Sequence, residues 1–341
     1  MLTERIVPYT TGDGREYNLI NIRGIKAPTK PPVILVHGAG VRANIFCAPV
    51  KTTIVDALID AGYDVWLENW RASIEFPKNK WNLDQAAVYD HPNAVSKIIE
   101  DTKAKSIKAI IHCQGSTSFS MSAVAGLLPQ VDTIISNAVS LHPVTPKWST
   151  FKLNFAVPLV NLKTDYVNPH WGVYAPTLFS KLMTSMVKLF HHECDNTVCK
   201  MVSFTYGSGF PALWLHENLN DETHEWLKEE FKNVPLDFFK QIAKSVKKGY
   251  LVPVAGLTLL PNDLLAQAPK TDARFIFFTG EKNLCFLPES QQKTFDYFES
   301  LKPGFHKLHR INDYSHLDIF MGKDAGKDIF PTMIHELDNT L

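Results

Sequence analysis

The sequence predicts an α/β protein: a mostly parallel central sheet flanked by helices, with a helical cap inserted before the last two strands. Up to residue 139, short apolar runs of strand length alternate with helix-length segments, the pattern of a parallel sheet covered on both faces. From Pro143 to about Pro261 that alternation stops, and a strand-like run resumes at Arg274. Size is consistent with this. The chain has 341 residues, 45% of them hydrophobic, which exceeds an average domain of roughly 150 residues, but one large sheet with an insertion fills that length as a single unit.

Taken in order, residues 4–10 and 15–23 alternate β-branched and polar side chains around Gly12-Asp13-Gly14, which reads as a hairpin. After a proline-rich stretch, Val33-Ile34-Leu35-Val36 is a continuous apolar run, typical of a strand buried on both faces, and it ends in the turn His37-Gly38-Ala39-Gly40. A helix is expected over about 50–61, stopped by Gly62, then a strand over 64–67. A second helix over about 90–104 carries Pro92 in its first turn, where proline is tolerated. Residues 107–112 form the next strand, about 115–128 a helix closing near Pro129, and 131–139 the strand that completes four β-then-α units. The stretch 143–261 is heavy in aromatics, among them Phe155, Phe190, Phe204, Tyr206, Phe210 and Trp214. These are expected to build a subdomain core and to line a pocket over the C-terminal edge of the sheet. Strands over 274–278 and 305–311 and a helix over 324–339 end the chain. Residues 1–142 and 262–341 thus form the core, and 143–261 the cap.

Charge excludes several partners. Lys plus Arg and Asp plus Glu are both 35, so there is no basic surplus to neutralise phosphates, and neither nucleic acid nor an anionic membrane surface is expected. Five cysteines, Cys47, Cys113, Cys194, Cys199 and Cys285, are too few and too odd in number for a secreted disulfide scaffold. Cys194 and Cys199, with His191 and His192 beside them, fit no standard zinc spacing, and no metal is expected. The N-terminal residues contain no apolar h-region, and no stretch reaches about 18 uninterrupted apolar residues. A soluble, cytoplasmic protein with no stable membrane anchor is the expectation.

Chemistry concentrates at Ile110-Ile111-His112-Cys113-Gln114-Gly115-Ser116, between an apolar strand and a helix. A nucleophile elbow belongs there: a tight strand-to-helix turn with the nucleophile in a strained conformation and small residues two positions to either side. With Cys113 at the centre, Gly115 satisfies one small position and Ile111 departs from the other. Centring on Ser116 would need a small residue at Gln114 and would bury the serine inside the helix. A helix N-terminus also lowers a thiol pKa, and the thiolate is the reactive form. The Gln114 N–H, with the Ala39 N–H from the glycine-bearing loop, would form the oxyanion hole. An inert buried thiol is the competing reading.

In such a fold the acid follows a late strand and the histidine lies on a loop near the end. The segment Asn312-Asp313-Tyr314-Ser315-His316-Leu317-Asp318 supplies His316 as base. The run Thr279-Gly280-Glu281-Lys282-Asn283 places Asn283 where an aspartate is usual. A neutral amide can orient an imidazole that is already paired with a thiolate. Glu281 is the alternative orienting residue, and Asp318 is read as a structural partner of the loop.

These residues resemble acid-lipase-like α/β-hydrolases, the group of gastric and lysosomal lipases. The chain is similar, more closely still, to hydrolase domains fused or adjacent to cholesterol-oxidase-type (GMC) flavoproteins. The resemblance runs over about residues 4–340. It rests on His37-Gly38, Glu68-Asn69-Trp70-Arg71, Tyr89-Asp90-x-Pro92, His112-Cys113-Gln114-Gly115-Ser116-Thr117 and Tyr314-Ser315-His316-Leu317-Asp318-Ile319-Phe320. It implies an α/β-hydrolase fold, an apolar acyl substrate, no cofactor, and an oxidoreductase or a second copy of the chain as candidate protein partners. Acid lipases carry Ser and Asp where this chain has Cys113 and Asn283, and they are secreted or lysosomal. Polyhydroxyalkanoate synthases and dienelactone hydrolases also use cysteine in this elbow. The expected function is therefore acyl transfer through a Cys113-His316-Asn283 set, hydrolysing an ester, thioester or lactone. Transfer to a non-water nucleophile, as in an acyltransferase or cyclase, stays open, and so does a catalytically weak binder of apolar ligands.

Overall fold

The structure is a computed structural model and describes residues 2–339. Ten strands occur in chain order: β1 (Thr3–Thr10), β2 (Glu16–Arg23), β3 (Pro32–Val36), β4 (Asp64–Asn69), β5 (Ile107–His112), β6 (Val131–Asn137), β7 (Tyr166–Val167), β8 (Val234–Pro235), β9 (Arg274–Gly280) and β10 (Lys307–Ile311). Eight of them form one sheet in the order β1-β2-β4-β3-β5-β6-β9-β10. The expected hairpin is β1-β2, which pairs antiparallel and joins β4 antiparallel. From β4 to β10 every pairing is parallel. Every residue of β3, β4, β5 and β9 is buried, as continuous apolar runs between two helical layers require.

Boundaries moved where a local device outweighs periodicity. The helix expected from 50 starts at Ile54, because Thr53 and Asp56 form a capping box that satisfies the first free amides. The helix expected from 115 starts at Cys113 itself (Cys113–Val124). Strand β6 stops at Asn137, where Ala138 turns the chain away with φ +78°. The expected helix over 324–339 is broken into Ala325–Asp328 and Phe330–Asp338, with Pro331 in the first turn of the second piece. A helix at Glu289–Leu301, not anticipated, covers β9 and β10.

Between β6 and β9 the chain is mostly helical, but β7 and β8 pair as a small antiparallel ribbon there, so this segment is not strand-free as expected. Its aromatics divide. Trp214 is fully buried, Phe204 and Tyr206 face a pocket beside Cys113, and Phe155, Phe190 and Phe210 are exposed. The segments Lys147–Phe151, Lys152–Ala156 and Val157–Asn161 run end to end. On their outer side Trp148, Phe151 and Phe155 stack at successive centroid distances of 4.9 Å. Among the described residues no helix is long and apolar enough to cross a membrane.

Candidate active site

Cys113 sits where β5 meets its following helix and adopts φ +53°. Such a conformation costs a non-glycine residue about 1–3 kcal/mol and persists only where the surroundings enforce it. Two glycines let the chains come close enough to do so. A Cβ on Gly115 would lie 2.3 Å from the His37 carbonyl oxygen, and one on Gly38 would lie 3.0 Å from Cys113 Cβ. Ile111, the departure from the small-residue rule, is buried in β5 between Val36 and Ser136 and does not prevent the turn. Ser116 is enclosed in the helix, with its Oγ 2.7 Å from Ser136 Oγ.

The Cys113 thiol is 8% exposed. Burial opposes its ionisation. The Cys285 thiol, His316 and the Gln114 N–H outweigh burial and pull it from the ordinary range down to about 5. Cys285 is driven the other way, well above an ordinary thiol, by its own burial and by the anion beside it. The two neighbouring thiols are thus shifted in opposite directions.

His316 is fully buried, and ring nitrogens of His112 and His316 lie within 4.8 Å of Cys113 Sγ. Asn283 Nδ2 contacts His316 Nδ1 at 3.2 Å. The amide orientation is set from behind, because Asn283 Oδ1 accepts the Cys285 and Phe286 amides at 3.0 and 3.2 Å. Asn283 is therefore a donor to His316, Nδ1 must accept, and the ring proton of neutral His316 belongs on Nε2. An aspartate here would favour the opposite arrangement. Asn137 bridges the two histidines, donating from Nδ2 to His112 Nδ1 at 2.9 Å and to the His316 carbonyl at 3.2 Å. Burial, then the neighbouring His316 and His37, hold His112 well below an ordinary imidazole pKa.

The structure does not bring Glu281 to the histidine. It pairs with Arg310, Oε2 to Nη2 at 3.1 Å. Asp318 holds the loop, accepting the Ser315 and Leu215 amides and Asn218 Nδ2 at 2.7, 3.0 and 2.8 Å. The Glu68–Arg71 and Tyr89–Pro92 segments meet in an ion pair: Arg71 and Asp90, both fully buried, lie 2.6 Å apart.

Cys113 and Gln114 form one wall of a pocket with about 800 Å³ of open space, lined largely by apolar side chains that include Leu153, Val160, Phe238 and Ile242. Ala39 is buried in the loop after β3, and the Tyr206 hydroxyl donates to its carbonyl at 3.2 Å. Lys152 lines the same pocket, donates to the Phe204 and Gly207 carbonyls, and is lowered by burial to about 8. Sequence reasoning did not single out Cys285, Asn137, Tyr206 or Lys152 as site residues. Two left a signal: Tyr206 lies among the aromatics expected to line a pocket, and Cys285 lies two positions after Asn283.

The sheet order, the elbow and the late histidine loop define an α/β-hydrolase fold. No family model matches the chain. It is similar to Lipase member K of Homo sapiens, 26% identical over an alignment 361 positions long, covering 95% of this chain and 85% of that protein. It is also similar to Triacylglycerol lipase 1 of Arabidopsis thaliana, 22% identical, covering 91% of this chain and 80% of that protein. Among solved structures, an esterase from Exiguobacterium antarcticum superposes with a TM-score of 0.59 at 12% identity, over 98% of this chain and 99% of that one.

Proposed function

We propose that the protein is an acyl-transfer enzyme that forms an acyl-cysteine on Cys113, drawing on an ester, thioester or lactone with an apolar acyl part. The observation that carries this is a depressed thiol in a strained elbow, within reach of a buried histidine and opening on an apolar pocket. Similarity to two proteins named as lipases supports an apolar acyl group. The segment between β6 and β9 serves as the cap that shapes its site.

The Cys113 thiolate attacks the carbonyl carbon, a C–S bond forms, and the carbonyl pair moves to oxygen. The Gln114 and Ala39 amides stabilise that oxyanion. Collapse breaks the bond to the leaving group. A departing thiolate needs no proton, whereas an alkoxide does. To supply one, His316 must pass through the imidazolium, whose Nδ1–H would face the Asn283 amide hydrogens. Asn283 thus favours thioesters and other activated acyl groups over plain alkyl esters. Release of the acyl-cysteine by water needs His316 Nε2 as an acceptor, and Asn283 keeps a proton there. That favours the second reading in one form, transfer of the acyl group to an acceptor that arrives already deprotonated, such as a thiolate or a stabilised carbanion, because an alcohol or amine would need the same base as water.

Rapid-quench kinetics with an acyl-CoA thioester and a nitrophenyl ester test this. The expected result is a burst of about one leaving group per chain, slow turnover afterwards, and an acyl adduct mapped to Cys113. The burst should vanish in Cys113→Ala. An unchanged burst in that variant removes Cys113 from the reaction, and no burst with either substrate leaves the apolar-ligand binder.

A further inference from the structure

Away from the catalytic thiol, four side chains converge within the segment between β6 and β9. Cys194 lies on the loop after the helix Leu178–Phe190, and Cys199 in the first turn of the helix Thr197–Tyr206. His216 opens the short turn His216–Asn218, and His224 lies in the first turns of the helix Asp221–Glu230. One donor atom from each falls within 4.8 Å of all the others. We propose that Cys194, Cys199, His216 and His224 bind a single zinc ion that pins this segment together.

The donor set is the first argument. Two sulfurs and two imidazole nitrogens are a set that structural zinc takes in tetrahedral geometry, and oxygen-seeking cations do not. Geometry is the second. Bond lengths of about 2.3 Å to sulfur and 2.0–2.1 Å to nitrogen set tetrahedral edges of about 3.3–3.8 Å. Cys199 Sγ is already 3.4 Å from His216 Nε2. The third is an unmet polar atom: His224 Nε2 is buried and makes no hydrogen bond, a state that costs about 1–3 kcal/mol unless a partner is supplied. Support for the ligands is also present. Asn196 accepts the Val198 and Cys199 amides on Oδ1 and donates to the His224 carbonyl, tying the Cys194–Cys199 segment to the helix that carries His224. The histidines adjacent to Cys194 in sequence are not ligands; His191 Nδ1 turns to Glu193 at 3.2 Å. The spacing Cys-x4-Cys-x16-His-x7-His hides the set from a motif reading.

The metal would also reach the catalytic loop through the backbone. Three residues before His216, the Leu213 carbonyl accepts the amides of His316 and Leu317 at 3.1 and 2.8 Å. An ion that fixes His216 therefore fixes the turn on which His316 leans.

The test uses the full chain purified under reducing conditions without chelator. Metal analysis and a thiol count should find about one zinc per chain, and cobalt exchanged into the stripped protein should show the intense visible bands of a tetrahedral thiolate site. His224→Ala and Cys199→Ser should each lower zinc content at least about tenfold. Because those variants can fail to fold, chelator-stripped wild type is titrated in parallel, and zinc should restore the lost thermal stability. Failure of the stripped protein to take up zinc with both thiols free, or a Cys194–Cys199 disulfide that forms in preference to zinc binding, overturns the assignment.

Discussion

At the scale of single residues, the site turns on which atom of Asn283 faces His316. Replacing it with aspartate keeps an oxygen for the Cys285 and Phe286 amides and turns the Nδ1 partner from donor to acceptor. The expected outcome for Asn283→Asp is faster steady-state release of acyl-cysteine, by about tenfold or more, a part of the roughly 10²–10⁴-fold that general acid–base catalysis supplies. Equal or slower turnover with an intact burst would show that the amide does not hold the tautomer. A second prediction concerns pH. The reactive form of Cys113 is the thiolate and its pKa is lowered to about 5, so alkylation by iodoacetamide should be flat from neutral pH downward and fall only as pH drops through 5. Cys285→Ala removes the neighbour that does most to lower that pKa, and the midpoint should move upward by about one pH unit, the value of one hydrogen bond to a charge. An unmoved midpoint would mean that the second sulfur plays no part. The elbow at Cys113 was legible because such a turn is local, spelled out by neighbours in the chain. The donor role of Asn283 was not, since it depends on two backbone amides beyond it, and Cys285 reaches Cys113 only through the fold.

Elements impose their own demands. The helix after Cys113 must begin hard against the loop after β3, and Gly115 leaves the room. Gly115→Ala forces a methyl to 2.3 Å from a backbone oxygen and should destabilise by about 1–3 kcal/mol. For a chain of this size that lowers Tm by several degrees, at roughly 2–4 °C per kcal/mol. A scanning calorimetry trace matching wild type would disprove the close approach. Arg71, two residues after β4, pairs with Asp90, the residue before the helix His91–Thr102, and both are fully buried. Arg71→Ala strands a buried carboxylate and should cost about 3–5 kcal/mol, seen as a lower urea midpoint. The alternation of apolar runs made these elements readable from sequence. Their ends were less so: the capping box at Thr53 and the turn at Ala138 are side-chain and dihedral events that periodicity does not record.

For the molecule as a whole, zero formal charge coexists with an apolar outer face. Phe151, Phe155 and Leu159 are 46, 60 and 67% exposed, and Trp148 stacks beside them. Replacing these four with serine should weaken retention on a hydrophobic-interaction column while the acyl burst stays intact. Unchanged retention would place the sticky surface elsewhere. Aromatic richness was visible in the sequence, but whether a ring points into the pocket or out to solvent was not, because both faces of this segment carry aromatics. Finally, β6 and β9 are adjacent and parallel, so the chain leaving one strand must travel back along the sheet before entering the next, a return that an ordinary crossover helix makes in about a dozen residues. Here residues 138–273 make that same return. The barrel of the journey is therefore elastic in length while its two anchoring strands stay in register, and grafting a different return path would rewrite the wall above Cys113 without disturbing one backbone pairing of the sheet beneath.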